Sequence, residues 1–592
     1  MPHAFPAAAA PVHYRIDPSA LHERLYRITL TIQAPAAAQE LSLPVWIPGS
    51  YLVREFSKNL QRLRAHQGGQ PVALAQLDKC RWRADCTPQQ PLTLEYEVAA
   101  YDNSVRTAWL DPARGFFNGT SLCLRVHGRE HEPHDIEVLQ PPARPDWQLA
   151  TGLDALHTDG AGFGSYRARD YDELVDGPVE MGAFWSAEFR AAGVPHRLVV
   201  AGAAPSFDGA RLVQDVQRLC EETIALWHGP DGRPPFERYV FLLNAVGDGY
   251  GGLEHRNSTA LICSRRDLPR QGEAQPGEGY QTLLGLFAHE YFHAWCVKRL
   301  RPAELERYDY GRENYTQLLW FFEGFTSYYD DLLLRRAGLV DHASYLRILT
   351  KTINQVLQTP GRQVQSVAEA SFDAWVKFYR QDENTPNSTV SYYSKGALVG
   401  LCLDLALRRE GKTHLDEVLR AVWQRTGGGP LSEAQLRTVL QERSGRDWAP
   451  ELDAWVHGTG ELPLAELLEA HGIALRPQAS QLAQRLGLRV AEAEGSVRVK
   501  VVLRGGAAEQ AGFMAGDEWL AIETPEGGAW RLQRLDELPL YAGGARQLTA
   551  WVARDQRVLR LALVLPDGDA TGDTVSLEVS DAQAAAAWLG AA

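Results

Sequence analysis

His289-Glu290-Tyr291-Phe292-His293, set within residues 283–297, is the stretch that decides how this chain is read. Two imidazoles four residues apart on a helix point the same way and can bind one metal ion. The glutamate between them lies about one residue's rotation away, where it can reach a water on that metal. Leu283, Leu284, Leu286, Phe287, Phe292, Ala294, Trp295 and Val297 make the segment apolar on nearly every face, the pattern of a buried helix. Burying two imidazoles and a carboxylate there is costly unless something pairs with them, and a divalent cation does so. The pattern points to a zinc hydrolase, with His289 and His293 as ligands and Glu290 acting on the water.

Two histidines leave such a site one protein ligand short, because catalytic zinc typically takes three plus water. Residues 320–329 read Trp-Phe-Phe-Glu-Gly-Phe-Thr-Ser-Tyr-Tyr, within a second apolar helix spanning residues 315–336 that holds one conspicuous acid. That acid, Glu323, is the expected third ligand; a helix cap or a salt-bridge partner is the competing role for it. Asp330 and Asp331 lie two turns further along and fit less well.

The 592 residues suffice for three or four domains with substantial cores. With 45% hydrophobic and 23% charged residues, the composition is that of an ordinary globular chain. A formal charge of −14, with no long basic run to offset it, argues against nucleic acid as a partner. No apolar run is long enough to span a bilayer, and the Ala-rich tail after Asp581 is far too short. Residues 1–12 lack a basic n-region and carry two prolines, which makes a poor secretory signal. The seven cysteines are scattered, odd in number and form no CxxC pair, so reduced thiols are expected rather than a disulfide frame. Cytoplasm is the expected compartment, or periplasm if a signal peptide has been removed.

The texture changes twice along the chain. Tyr26, Ile28, Leu30 and Ile32 alternate with polar residues, as do Leu92, Leu94, Tyr96 and Val98, which predicts a β-rich, sandwich-like domain over residues 1–178. Residues 198–201 and 239–243 read as strands flanking a helix over 209–227. From residue 281 the chain is mainly helical, with further helices near 396–409 and 415–425. An α+β catalytic domain over residues 179–472 is the result. Residues 473–592 return to β character: Val497, Val499 and Val501 alternate with Arg498 and Lys500. The runs Gly506-Ala507-Ala508 and Gly516-Asp517-Glu518-Trp519-Leu520 make this last part resemble a PDZ domain, whose carboxylate-binding loop would be Leu486-Gly487-Leu488.

HExxH followed by a glutamate in an EGF-x-x-YY helix resembles the gluzincin aminopeptidases. Residues 294–322, 29 in number, separate His293 from Glu323. That spacing is similar to the glycyl aminopeptidase family of PDZ-containing zinc peptidases and longer than that of the alanyl family. Three more segments match the glycyl family: Trp46-Ile47-Pro48-Gly49-Ser50-Tyr51, Gly251-Gly252-Leu253-Glu254-His255-Arg256-Asn257-Ser258 and Lys298-Arg299-Leu300-Arg301-Pro302. The resemblance covers nearly the whole chain. It implies a multidomain α+β architecture: an N-terminal β-rich domain, a thermolysin-like, gluzincin-like catalytic domain with a helical half, and a C-terminal PDZ-like domain.

The same resemblance implies the remaining roles. Gly251-Gly252-Leu253-Glu254 is similar to the exopeptidase strand of gluzincins, where the glutamate receives the substrate's free α-amino group. The two glycines would let the substrate backbone approach, and the carboxylate would supply the counter-charge. Tyr393 sits where gluzincins place the phenol that donates to the tetrahedral oxyanion, with Tyr392 as its rival; a phenol stays protonated at neutral pH and donates without adding charge. One zinc ion per chain and a preference for N-terminal glycine and alanine are also implied. The expected activity is a zinc aminopeptidase acting on peptides with a free N-terminus. The alternative is a zinc endopeptidase whose PDZ-like domain captures a protein C-terminus and presents a nearby bond.

Overall fold

The computed structural model describes residues 10–273, 277–566 and 574–590. The N-terminal stretch read as a poor secretory signal lies largely outside them. The described chain is α+β and divides into two compact units, residues 1–314 with 423–431, and residues 315–422 with 432–592.

The first unit begins with β-structure, as the alternation predicts. Val12–Ala20 and Leu25–Ile32 bury every second residue, and both lie inside a sheet of eight described strands that also holds Leu92–Ala99. Their inward side chains join those of two four-stranded sheets in one core, which gives the β-rich part its sandwich character. Buried tyrosines in that core need acceptors. Tyr96, Tyr171 and Tyr14 donate to the carbonyls of Leu122, Cys123 and Leu124, so three phenols share three successive peptide units.

A five-stranded sheet follows in the same unit, ordered Trp185–Ala191, Val194–Ala201, Tyr239–Val246, Ser258–Ser264 and Tyr250–Glu254. Tyr239–Val246 pairs in parallel with both neighbours and is apolar almost throughout, as a central parallel strand must be. Helix Gly209–His228, capped by the Asp208 side chain, and helix Glu278–Phe292 pack on this sheet. Tyr250–Glu254 is its edge strand.

The second unit is helical at first. Helix Gly324–Arg336 packs against Ser394–Glu410, and both carry buried apolar stripes. A sheet built on Leu488–Ala493, Ser496–Val502, Glu518–Glu523, Gln547–Arg554 and Arg557–Val564 follows, closed over a core around Trp519. Asp517, fully buried, explains the Gly-Asp pair noted above. Its carboxylate takes both Nε and Nη2 of Arg554, at 2.7 and 2.8 Å, and the amide of Met514 at 2.9 Å. No helix among the described residues is long and apolar enough to cross a membrane.

Removing one partner of a buried charge pair strands the other. Arg554→Ala should therefore destabilise this sheet by about 3 kcal/mol. The measurement is hydrogen exchange, with protection falling first in Glu518–Glu523 and Gln547–Arg554.

Candidate metal centre and active site

Helix Glu278–Phe292 carries the motif. It ends one turn earlier than the apolar run suggests, so His293 is its C-terminal cap, still in right-handed helical conformation at φ −63°, ψ −18°. The four-residue spacing survives. The two rings lie 4.6 Å apart and nearly perpendicular, with their Nε2 atoms 3.1 Å from each other. His293 Nδ1 faces the carbonyl of Cys296 at 2.6 Å. A carbonyl only accepts, so Nδ1 carries the proton and Nε2 presents its lone pair.

The back of this helix is pinned to the sheet. Tyr291 Oη donates to His196 Nε2 at 2.9 Å, and His196 Nδ1 in turn faces the Val194 carbonyl at 2.9 Å. Burial pushes His196 down to a pKa of about 4, so it stays a neutral acceptor. His289 and His293 each lie two residues from Tyr291, about 200° around the helix, and so face away from it, with Glu290 in between.

Glu323 lies between two helices rather than inside the single helix expected over residues 315–336. The first spans Leu319–Phe322 and the second begins at Gly324. At φ −97° Glu323 departs from ideal helix, yet its amide still bonds to Leu319 O and its carbonyl to Ser327 N. Two glycines set this stretch. A methyl on Gly324 would fall 2.5 Å from Gly396 Cα, and one on Gly396 would fall 2.6 Å from Trp320 O. The helices that carry Glu323 and Tyr393 can approach so closely only because both positions lack a side chain.

One ligand atom each from His289, His293 and Glu323 lie within 4.8 Å of one another; His293 and Glu323 are buried and His289 half-buried. Two nitrogens and a carboxylate oxygen are the donors catalytic zinc uses, and tetrahedral zinc would hold two nitrogens about 3.3 Å apart. The set fits that ion. It excludes Asp330 and Asp331 from the cluster.

Glu290 is 5% exposed, against the edge strand. A methyl on Gly252 would sit 2.1 Å from Glu290 Oε1, so the second glycine of the strand makes room for that carboxylate. Gly251, at φ 156°, and Glu254 lie on the same strand, and Glu254 is buried. Gly49, from the Trp46–Tyr51 segment, abuts Glu254: a methyl there would fall 2.4 Å from its Oε1. Tyr393 and Tyr392 both pack on Phe378. Enclosure pushes the Tyr393 phenol well above its ordinary range, and the negative charge of Glu323 adds to the effect.

Asp176 has no motif around it and escaped the sequence reading. It accepts from Lys298 Nζ at 2.7 Å and the Arg256 amide at 2.8 Å, and it faces His255 Nδ1 at 3.2 Å. Burial opposes its charged form, but Lys298 and His255 outweigh that and hold its carboxyl well below the usual range. This accounts for the histidine after Glu254 and for the lysine after the metal motif. Arg299 donates to Arg256 O, Ala294 O and Pro235 O, which locks the turn behind His293.

A buried His-Glu-x-x-His helix end joined by a glutamate, on an α+β frame, defines a zinc metallopeptidase. Residues 13–183 match the Peptidase M61 N-terminal domain, and residues 282–399 match the M61 glycyl aminopeptidase model. The crystal structure of an aminopeptidase N family protein from Idiomarina loihiensis is 36% identical, covers 98% of this chain and 100% of that one, and superimposes with a TM-score of 0.92. A mutant M1 zinc metallopeptidase from Deinococcus radiodurans, bound to a Tyr-Ser-Ala substrate, is 18% identical over 77% of this chain and 96% of that one, with a TM-score of 0.45. The M1 zinc metallopeptidase from the same organism is 17% identical, with the same coverage and a TM-score of 0.44. No curated protein matches. The chain belongs to the M61 glycyl aminopeptidase family.

Two substitutions separate the metal from the chemistry around it. His293→Ala should leave dialysed protein without bound zinc, measured by elemental analysis. Gly252→Ala should retain zinc but lose at least about 100-fold in kcat, because the added methyl would displace the Glu290 carboxylate and a misplacement of about 1 Å in a site has that effect.

Proposed function

We propose that this chain is a zinc aminopeptidase that releases small N-terminal residues, glycine and alanine preferred, from peptides with a free N-terminus. The observation that carries the reading is Glu254. Its carboxylate is buried, and Oε1 has no hydrogen-bond partner among the described residues. A buried carboxylate oxygen without a donor is costly, and a substrate ammonium would supply the donor and the opposite charge. Glu254 stands two residues along the strand from Gly252, against which Glu290 lies. An N-terminus held at Glu254 would bring the first peptide bond to Glu290. The glycine and alanine preference is inferred from the family.

One zinc ion per chain, held by His289, His293 and Glu323, would supply Lewis acidity toward water and the scissile carbonyl. Glu290 takes the proton of the attacking water on its carboxylate and hands it to the departing amine. Tyr393 keeps its proton, as the upward shift of its phenol favours, and donates to the oxygen that gains negative charge. Gly251 and Gly252 carry no side chain and would let the substrate backbone approach the strand.

We further infer a division into residues 1–178, 179–472 and 473–592, the last PDZ-like. Its strands, the short helix Ala507–Ala511 after Gly506, and the strand Glu518–Glu523 after the Gly-Asp pair support that reading. Seven cysteines, none of them in a disulfide, support a reducing compartment such as the cytoplasm.

The deciding experiment compares Gly-, Ala- and Leu-aminoacyl substrates with N-acetylated peptides. Cleavage of the free forms, Gly and Ala ahead of Leu, is expected, and Glu290→Gln should lower kcat by about 10³-fold with zinc retained. Glu254→Ala should weaken kcat/KM on free N-termini by about 100-fold. Efficient cleavage of acetylated peptides would instead favour an endopeptidase.

A further inference from the structure

Antiparallel pairing fixes which backbone groups of the edge strand are free. The amide of His255 donates to Ser258 O at 3.0 Å, so residues 255 and 258 form a hydrogen-bonded pair. Counting back through the register, Leu253 with Ala260 and Gly251 with Ile262 are bonded pairs, while Glu254 with Thr259 and Gly252 with Leu261 are not. The N–H and C=O groups of Gly252 and Glu254 therefore point to the open edge. There the Gly252 carbonyl already has a donor, the guanidinium of Arg106, whose Nη2 lies 3.2 Å away.

Arg106 is held in place from both sides. Asn118, fully buried, donates through Nδ2 to the carbonyls of Val105 and Thr107, at 2.9 and 3.3 Å. The Arg106 amide itself bonds Ser104 Oγ at 3.2 Å. Its Nη1 would lie 3.7 Å from a methyl on Gly251. Its Nε is buried and has no hydrogen-bond partner, and among the described residues Arg106 makes no ion pair. Two other half-buried arginines of this unit do hold carboxylates: Arg114 is bidentate on Glu180, and Arg167 on Asp135. Arg106 is thus a half-buried guanidinium with spare donors and no carboxylate partner, a group suited to take up a carboxylate from a ligand.

We propose that Arg106 is a specificity-determining residue that binds the free carboxylate of the residue following the scissile bond, so that dipeptides are the preferred substrates. The inference rests on the reading of Glu254 as the receptor for the N-terminus. Glu254 and Gly252 are about 6.7 Å apart along the strand, room for one residue between its ammonium and a carbonyl at Glu290. The next residue adds about 3.4 Å in the same direction, past Gly252 toward Gly251. Its terminal carboxylate arrives at the Arg106 fork, whose planar geometry matches a carboxylate bidentately. A longer peptide would place a neutral carbonyl there and would have to pass the guanidinium.

The test assays Ala-Ala, Ala-Ala-amide, Ala-4-nitroanilide and N-acetyl-Ala-Ala on the full chain, wild type and two variants. Wild type should cleave Ala-Ala with a KM about tenfold below that of the amide. Arg106→Gln should lower kcat/KM on Ala-Ala about tenfold more than on the amide or the anilide, with the difference in KM. Arg106→Lys, a point charge without the fork, should keep part of the preference. Because each ratio is taken within one preparation, a partly unfolded variant does not alter it, and Arg106→Lys carries the test if Arg106→Gln is inactive. Equal wild-type kcat/KM on acid and amide would overturn the inference, as would equal losses on all unblocked substrates in the variants. If wild type cleaves only the acetylated peptide, the aminopeptidase reading itself has failed.

Discussion

The constraint on which the site depends is the cost of placing Glu290 and His293 on a helix that is otherwise apolar and buried. Neither group can be left there without compensation. The protein meets that requirement with fixed geometry on both sides of the helix. Tyr291 and the neutral His196 anchor one face to the sheet. The Cys296 carbonyl sets the tautomer of His293 on the other, so the imidazole presents a lone pair rather than a proton.

Close approach is the second theme, and three glycine positions carry it. Gly252 admits the Glu290 carboxylate to the strand, and Gly324 with Gly396 brings two helices into backbone contact. In each case a methyl would collide with an atom that the chemistry or the helix crossing requires. The edge strand and the helix pair thus meet one requirement: a neighbouring carboxylate or backbone atom stands where a side chain would otherwise be.

The elements most legible in the sequence were those with strong periodicity. Leu25–Ile32 and Leu92–Ala99 emerged where the alternation placed them, and Gly209–His228 where the helical pattern placed it. Boundaries were less legible. The metal helix stops at Phe292 although apolar residues continue to Val297, because those residues are buried by tertiary contact and not by helical periodicity. The break at Glu323 is likewise invisible in an apolar run, since it arises from the packing of Gly324 against Gly396.

By itself, the sequence determined the donor types and their local order: His289, Glu290 and His293 at helical spacing, one acid in the next apolar segment, and two glycines before Glu254. Those features are short-range, and backbone geometry converts spacing directly into direction. Only the tertiary structure decided that Asp176 balances Lys298 and His255, that Gly49 closes on Glu254, and that Arg106 caps the Gly252 carbonyl. Each of those joins residues far apart in the chain through sheet register and loop packing, and no local pattern records such a meeting.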